Sequence, residues 1–347
     1  MQAGKELTIY DIAQMADVSP ATVSRVLNRH PGINSKTRDK VNEVLARTGF
    51  KPRWKAGGSN IIGVILPPYH DVLLDPYDSR ILSCCFNELM DMEYSMQIIC
   101  PAQAKLDATG KNTLAALNML SGIIAVAAPP NYELCRYLLS PQNKLPAVVI
   151  GHLDNEDARK NVAKNHIIAD DYAAGYQSAM LLLRHHHRRF HVVSASLDDA
   201  VHRRRYKGIV AALKHYHIAE SDIATLEIKD NLRQSGEQLA AELACIKDRP
   251  EALIFTQSSI CTGFVHGCRA MNLNIPDDFS VVSFEDNNEL AGVMPPITAI
   301  QTPTQKIGQA AVRALTARIN NTECTSPGII SHALVSRHSV RQTGNAR

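Results

Sequence analysis

Long apolar runs are missing from this chain of 347 residues. The longest, such as Ile61 to Leu66, are strand-sized and too short for a membrane-spanning helix. The segment up to Leu7 is polar and lacks the apolar stretch of a secretory signal, so a cytoplasmic protein with no membrane partner is expected. The eight cysteines are Cys84, Cys85, Cys100, Cys135, Cys245, Cys261, Cys268 and Cys324. They form no Cys-x-x-Cys pair and have no matching histidine spacing, which points to reduced, mostly buried thiols and not to zinc. No Gly-rich phosphate loop, nucleophile elbow or metalloprotease motif is present, nor are internal repeats or low-complexity tracts. Neither a cofactor, nor a metal, nor an enzyme is therefore expected. The polar stretch after Ser339 offers no heptad, so assembly beyond a dimer is not expected either. The length accommodates two or three domains with a sizeable core.

What is present begins at Thr8. Thr8 can cap a helix while Asp11 reaches back, and Ile9, Ile12, Ala13 and Ala16 form one apolar stripe at helical period. A second helix starts at Ser19-Pro20, a hydroxyl cap followed by a proline in the first turn. Asp17 is the turn between them, a residue that tolerates unusual backbone angles better than most. Val23, Val26 and Leu27 face inward and leave Pro20, Ala21, Thr22, Ser24 and Arg25 outward, short or donor-bearing side chains of the kind that base edges and phosphates require. A third helix is expected from Ser35 as cap, with Val41, Val44 and Leu45 buried and Gly49 as stop.

Residues 1–56 carry ten Lys and Arg, namely Lys5, Arg25, Arg29, Lys36, Arg38, Lys40, Arg47, Lys51, Arg53 and Lys55, against Glu6, Asp11, Asp17, Asp39 and Glu43. A chain of net charge +3 thus concentrates its positive excess where phosphate contacts would need it.

From residue 61 the pattern changes to short β-branched runs alternating with helical ones. Strands are expected at 61–66, 96–99, 123–127, 147–150, 190–194, 225–228, 252–255 and 281–284. Helices are expected at about 77–92, 107–120, 171–186, 203–216, 233–247 and 259–271. Such alternation calls for parallel sheets covered on both faces, with ligands at the carboxyl ends of the strands and in the cleft between two lobes.

The stretches Thr8-Ile-Tyr-Asp-Ile-Ala, Val18-Ser-Pro-Ala-Thr-Val-Ser-Arg-Val-Leu-Asn28 and Ser35-Lys-Thr-Arg-Asp-Lys-Val41 resemble the lactose-repressor/galactose-repressor family of bacterial transcription regulators. Asp17 departs from the glycine usual in that family's turn. The resemblance implies an α/β protein with an N-terminal three-helix helix-turn-helix domain, then a two-lobed periplasmic-binding-protein-like sensor. It implies that Ser19, Thr22 and Ser24 hold phosphates and that Pro20, Ala21 and Arg25 occupy operator-reading positions. Thr8, Tyr10, Asn28, Arg29 and Thr37 complete the expected DNA-binding set. The expected partners are double-stranded operator DNA, a small sugar-like effector and a second copy of the chain in a homodimer.

By the same likeness the helix-turn-helix domain spans 1–52 and a linker 53–60. Lobe 1 takes 61–169 plus 291–322, lobe 2 takes 170–290 plus 323–339, and a polar tail occupies 340–347. The lobe crossings are expected near 169–172, 287–298 and 320–326.

Effector residues follow by local motif. Arg205 stands three residues before Gly208, read as the glycine that opens the following helix, where the family places an arginine that grips sugar hydroxyls or an acidic group. The competing readings are that Arg203 or Arg204 takes that role, or that all three are surface charges. Gln257 and Ser258 replace the family's Asn-Asp, and Glu285 replaces an aspartate, moving its carboxylate outward by about one C–C bond. Either the ligand differs or effector binding has been lost. Asp75 and Tyr77 occupy the loop after the first strand, where Tyr77 can stack on a sugar or pack on the loop. Asp171 fits a crossing where a family carboxylate lines the pocket, although Asp170-Asp171 also reads as a helix N-cap. The run His185-His186-His187-Arg188-Arg189 reads as a cationic helix C-terminus and not as a chelate, because neighbouring helical residues point apart. His186 replaces a terminating glycine there.

The linker departs from the family most. Pro52, Trp54, Gly57 and Gly58 stand where the family carries a hinge helix with a groove-wedging leucine, and the link is about five residues shorter than that pattern. Two adjacent glycines disfavour a helix by about 1 kcal/mol each. Weaker DNA bending and looser effector control are expected, with Trp54 packing on the third helix in preference to acting as a wedge. A cytoplasmic sugar- or nucleoside-binding module with weak or nonspecific DNA binding is the competing reading.

Overall fold

Helices α1 (Ile9–Met15), α2 (Pro20–Leu27) and α3 (Ser35–Thr48) close around Ile12, Ala13, Ala16, Val23, Val26, Val41 and Val44, all buried, with Leu45 only half-buried. The computed structural model describes residues 9–27, 33–48, 60–67, 73, 75–99, 120–153, 165–230, 232–323 and 328–343. Asp17 takes the left-handed backbone the turn requires, at φ 52°. Ser19 Oγ accepts from the Thr22 amide at 3.1 Å and caps α2. The cap of α3 is Asn34, whose Oδ1 accepts from the Thr37 amide at 2.8 Å. Ser35, the expected cap, is instead the first helical residue, because the amide side chain of Asn34 reaches the first turn as well as a hydroxyl does. Thr8, Gly49, residues 53–59 of the expected linker 53–60 and residues 107–119 of the helix expected at about 107–120 lie outside the described residues.

The remainder builds two six-stranded sheets. The first contains β1 (Ile61–Ile65), β2 (Ser95–Ile99), β3 (Gly122–Val126), β4 (Ala147–Ile150), β5 (His166–Ala169) and β11 (Ile329–Ile330). The second contains β6 (Phe190–Ser194), β7 (Ile223–Glu227), β8 (Ala252–Phe255), β9 (Ser280–Phe284), β10 (Thr298–Gln301) and β12 (Ala333–Val335). Their orders are β2-β1-β3-β4-β5-β11 and β7-β6-β8-β9-β10-β12, the same winding twice. All neighbours pair in parallel except β10 with β12. Central strands β3, β4, β8 and β9 are buried throughout and read as continuous apolar runs, as parallel strands covered on both faces must.

Helices α4 (Pro76–Asp91), α5 (Tyr132–Leu139) and α11 (Thr304–Asn320) cover the first sheet. Helices α6 (Asp171–Arg184), α7 (Ala200–His215), α8 (Leu232–Ala244), α9 (Ser258–Ala270) and the short α10 (Asn288–Gly292) belong with the second.

The strand pairings move two of the expected crossings. β10 pairs with β9, so residues 298–301 belong to the second sheet, and the chain returns to the first unit at Thr302-Pro303 and not near 287–298. β11 then pairs with β5 and β12 with β10, which puts the last crossing between Ile330 and Ala333 and not near 320–326. Segments of two to four residues are too short to display an alternation, so their sheet is decided only by the ladder they complete. The expected polar tail is also partly packed. Val340 is half-buried against the second core, the Arg341 carbonyl accepts from His187 Nε2 at 3.1 Å, and the Thr343 amide donates to the His185 carbonyl at 3.0 Å.

Candidate functional site

A cavity of about 680 Å³ lies between the carboxyl ends of the two sheets, within the size range of small-molecule sites. Nearly every loop there contributes. Pro67 follows β1, Ala127 to Pro129 follow β3, Gly151 follows β4, Ser196 and Asp199 follow β6, Gln257 follows β8, and Glu285 follows β9. In each sheet the winding reverses beside the first of its strands, so the cavity sits at two topological switch points facing each other. Direct contacts that bridge the halves include Arg80 Nη1, which donates to the Asp286 carbonyl at 2.8 Å, and the Ala200 amide, which donates to Tyr132 Oη at 3.2 Å.

Asp75, Tyr77, Asp171, Arg205, Gln257 and Glu285 all line this cavity. Their environments differ. Arg205 is buried while Arg203 turns away to the Leu197 carbonyl at 2.7 Å. Arg205 Nε donates to Asp171 Oδ1 at 2.8 Å, and its Nη1 donates to the Thr256 carbonyl at 2.7 Å and to Glu285 Oε1 at 3.4 Å. The guanidinium also lies over the Phe284 ring at 4.6 Å. Burial opposes the charge of Arg205, but Asp171 and Glu285 outweigh it and raise the pKa. Burial likewise works against an ionised Asp171, yet Arg205, then His152 and His332, hold its carboxyl well below the usual range. His152 Nε2 reaches Asp171 Oδ2 at 3.0 Å and the Ala169 carbonyl at 2.9 Å, and therefore carries the proton. His332 Nε2 lies 3.4 Å from Asp171 Oδ1.

Glycine makes this pairing possible. A Cβ on Gly208 would stand 2.0 Å from the Tyr172 carbonyl oxygen, and one on Gly175 would stand 2.1 Å from that of Arg205. Backbone-to-backbone contact of α6 with α7 therefore brings Arg205 onto Asp171. Gly208 is thus interior to a helix that starts at Ala200, and does not open one as the sequence pattern had indicated. The helix begins earlier because Asp199 Oδ1 caps it by accepting from the Val201 amide at 2.7 Å.

Asp170, not Asp171, is the N-cap of α6, with Oδ1 accepting from the Ala173 amide at 3.2 Å. Asp75 Oδ1 caps α4 through the Tyr77 and Asp78 amides at 2.8 and 3.1 Å. Tyr77 is half-buried against the first core, and burial raises its phenol pKa. Glu285 holds a left-handed backbone at φ 67°, with its carboxylate drawn between Arg205 and Ser258, whose Oγ donates to Oε2 at 2.7 Å. Burial, partly offset by Arg205, raises its pKa.

Sequence reasoning missed Asp78, Asp198, Asp199, His202 and Lys229, which also line the cavity. Burial, then Asp75, Glu285 and Asp199, push the Asp78 carboxyl up to about 7. Burial and Arg205 lower the pKa of His202 to about 4. The signal for Asp78 and Asp199 was their place beside helix starts, a place that capping alone explains.

His186 takes the left-handed backbone in place of glycine, at φ 66°. His187 is buried and burial lowers its pKa to about 4, so His187 adds no charge to the cationic helix end near neutral pH. The charge at that helix end comes from Arg184, Arg188 and Arg189. Among the described residues no group of His, Cys, Asp or Glu is arranged to hold a metal ion, and no helix is long and apolar enough to cross a membrane.

In the helix-turn-helix unit Tyr10, Ser19, Ala21 and Arg25 are exposed, with Pro20, Thr22 and Thr37 half-buried. Ser19 Oγ and Thr22 Oγ1 share a hydrogen bond of 2.8 Å. Thr8, Asn28, Arg29, Pro52, Trp54, Gly57 and Gly58, and the side chain of Ser24, lie outside the described residues.

The bacterial regulatory proteins of the lacI family match residues 8–53, and a periplasmic binding protein-like domain matches residues 179–340. Catabolite control protein A of Priestia megaterium is 26% identical over 347 residues, covering 96% of this chain and 99% of the relative. The HTH-type transcriptional repressor PurR of Mannheimia succiniciproducens is 24% identical over 343 residues, covering 96% and 99%. Among solved structures, a lac repressor dimer bound to operator and an anti-inducer superposes with a TM-score of 0.68 at 21% identity, over 97% of this chain and 100% of that one. A CelR-cellobiose complex superposes with a TM-score of 0.63 at 19% identity, over 96% and 99%. The match of a lacI-type reading head and a binding-protein-like sensor in one chain, with relatives aligned from end to end, makes this protein a DNA-binding transcription regulator of the lacI family, a family without enzymatic activity.

Proposed function

We propose that the protein is a repressor that binds a pseudo-palindromic operator as a homodimer and is switched by a small sugar-like metabolite in the cleft. The observation that carries the sensing half is the 680 Å³ cavity lined by residues from both sheets, so that a ligand touching both changes their arrangement. Asp75, Tyr77, Asp171, Arg205, Gln257 and Glu285 form its expected contact set.

Two features support the dimer. The outer face of α4 exposes Phe86 and Met90 at 43% and 56%, and Ile98 on the edge strand β2 is 40% exposed. An apolar face beside the terminal strand of a sheet suits a second copy of the chain. The lac repressor structure similar to this one is, by its description, a dimer on its operator.

On DNA, α2 lies in the major groove. Pro20, Ala21 and Arg25 read bases, while Ser19, Thr22 and Ser24 hold phosphates, with Thr8, Tyr10, Asn28, Arg29 and Thr37 beside them. Selection from random duplexes is expected to enrich a palindrome, and Arg25→Ala to weaken that site by about 1–3 kcal/mol while relaxing one position in each half. Enrichment of no palindrome at physiological salt would favour a small-molecule binding module instead. With the enriched operator in hand, Gly57-Gly58 in the linker should give little bending. A strong kink by fluorescence-detected bending, together with a hundredfold effector response, would sink that expectation.

A further inference from the structure

Six carboxylates line the cleft, Asp75, Asp78, Asp171, Asp198, Asp199 and Glu285, against two cations, Arg205 and Lys229. Both cations are already engaged. Arg205 is bonded to Asp171 and Glu285, and Lys229 lies 3.4 Å from Asp198 and 3.5 Å from Glu227. Asp75 and Asp199 spend one oxygen each on capping a helix. Asp78 is different. It is only 7% exposed, faces the cavity, and among the described residues its carboxylate makes no hydrogen bond or ion pair.

A buried carboxyl without a partner is costly and normally acquires one. Here its neighbours are acids, so the missing partner is a donor with positive charge. Resting on the reading of the cleft as the effector site, we infer that the effector is a small organic cation, with a protonated primary amine seated on Asp78 and within reach of the field of Asp75, Asp199 and Glu285. The raised pKa of Asp78 agrees, since burial and then the repulsion of Asp75, Glu285 and Asp199 keep this proton on, and an approaching cation opposes both. A phosphorylated or carboxylated ligand meets the opposite field, and the guanidinium of Arg205 is already held by two carboxylates. Beside polar groups such as Ser196, Gln257 and Thr302, an apolar part of the wall from Pro67, Val126, Ala128, Ala195, Val201 and Leu232 fits a compact carbon skeleton behind the amine.

The test is thermal shift and calorimetry of the full chain at pH 8 with amines paired to their hydroxyl counterparts. The pairs are glucosamine with glucose, galactosamine with galactose, mannosamine with mannose, and putrescine with 1,4-butanediol, with glucose 6-phosphate as the anion. At least one amine should bind about tenfold or more tightly than its counterpart, the factor carried by one pKa unit of interaction, and the anion should not bind. Asp78→Asn should remove that preference. Asp199→Asn, which keeps an oxygen to cap α7, should weaken it while leaving the fold intact.

No amine exceeding its counterpart, or glucose 6-phosphate binding best, overturns the inference. Gln257→Trp separates it from the underlying reading, because Gln257 lines the cavity and its side chain makes no capping bond. If a neutral or anionic compound binds and Gln257→Trp abolishes that binding, the cleft remains the effector site and only the cation fails. If amine binding survives both Asp78→Asn and Gln257→Trp, it lies elsewhere, and both readings fail.

Discussion

The second sheet unit pairs its buried cation, Arg205 with Asp171, Glu285 and the Thr256 carbonyl, whereas the first unit holds its buried carboxylate, Asp78, with no partner among the described residues. Both units share one strand order, so the winding did not produce this difference. It comes from the helix that follows each first strand. In the second unit α7 crosses α6 on Gly175 and Gly208, close enough to build an ion pair inside the protein. In the first, α4 opens with Asp75 and Asp78 beside the cleft, and where it packs on α11 the Cβ of Cys84 faces Gly308, with no ion pair between the two helices among the described residues. One half of the site is organised before a ligand arrives, and the other half is left incomplete for it.

The largest expected effect is on the completed half. Arg205→Ala leaves Asp171 buried beside Glu285 without their cation, and should destabilise the protein by about 3–5 kcal/mol in denaturant unfolding. A loss below about 1 kcal/mol would mean that the network is not the support proposed for this half. Gly208→Ala comes next. Its methyl group meets the Tyr172 carbonyl, α6 and α7 must separate, and a cost of about 1–3 kcal/mol is expected. Effector response should fall with it in a reporter assay, because Arg205 and Asp171 move apart.

The smallest effect in stability belongs to the incomplete half. The carboxyl of Asp78 is raised from 3.8 to about 7 in the folded protein, so the native state binds that proton more tightly than the unfolded chain. Its contribution to stability is full below about 3.8 and is lost as pH rises through about 7. Asp78→Asn should remove that slope and leave stability at pH 8 unchanged or higher by about 1 kcal/mol, read from melts across pH. A variant less stable than the parent at pH 8 would show that Asp78 has a structural partner and would erase the contrast between the halves.

The reading head was legible because its signals are local. Ser19 caps α2, Asp17 adopts a left-handed turn, and Val23 and Val26 repeat at helical spacing, all within a few residues of each other. The central strands were legible for a related reason, since burial on both faces leaves a continuous apolar run such as Ala252 to Phe255. Thr298–Gln301 and Ile329–Ile330 were misassigned because a short segment joins whichever edge it reaches, and that edge is formed by distant residues.

By itself, then, the sequence determined the class of the protein: three short helices with a basic bias, followed by two βα series. It also singled out Arg205, Asp171 and Glu285. Tertiary structure alone decided that these three form one ion network, that the second and third crossings lie at Thr302-Pro303 and after Ile330, and that Asp78 faces the cleft unpaired. Helix and strand signals act over neighbouring residues, whereas charge compensation depends on which groups the packing of remote helices brings within a few ångströms and shields from water.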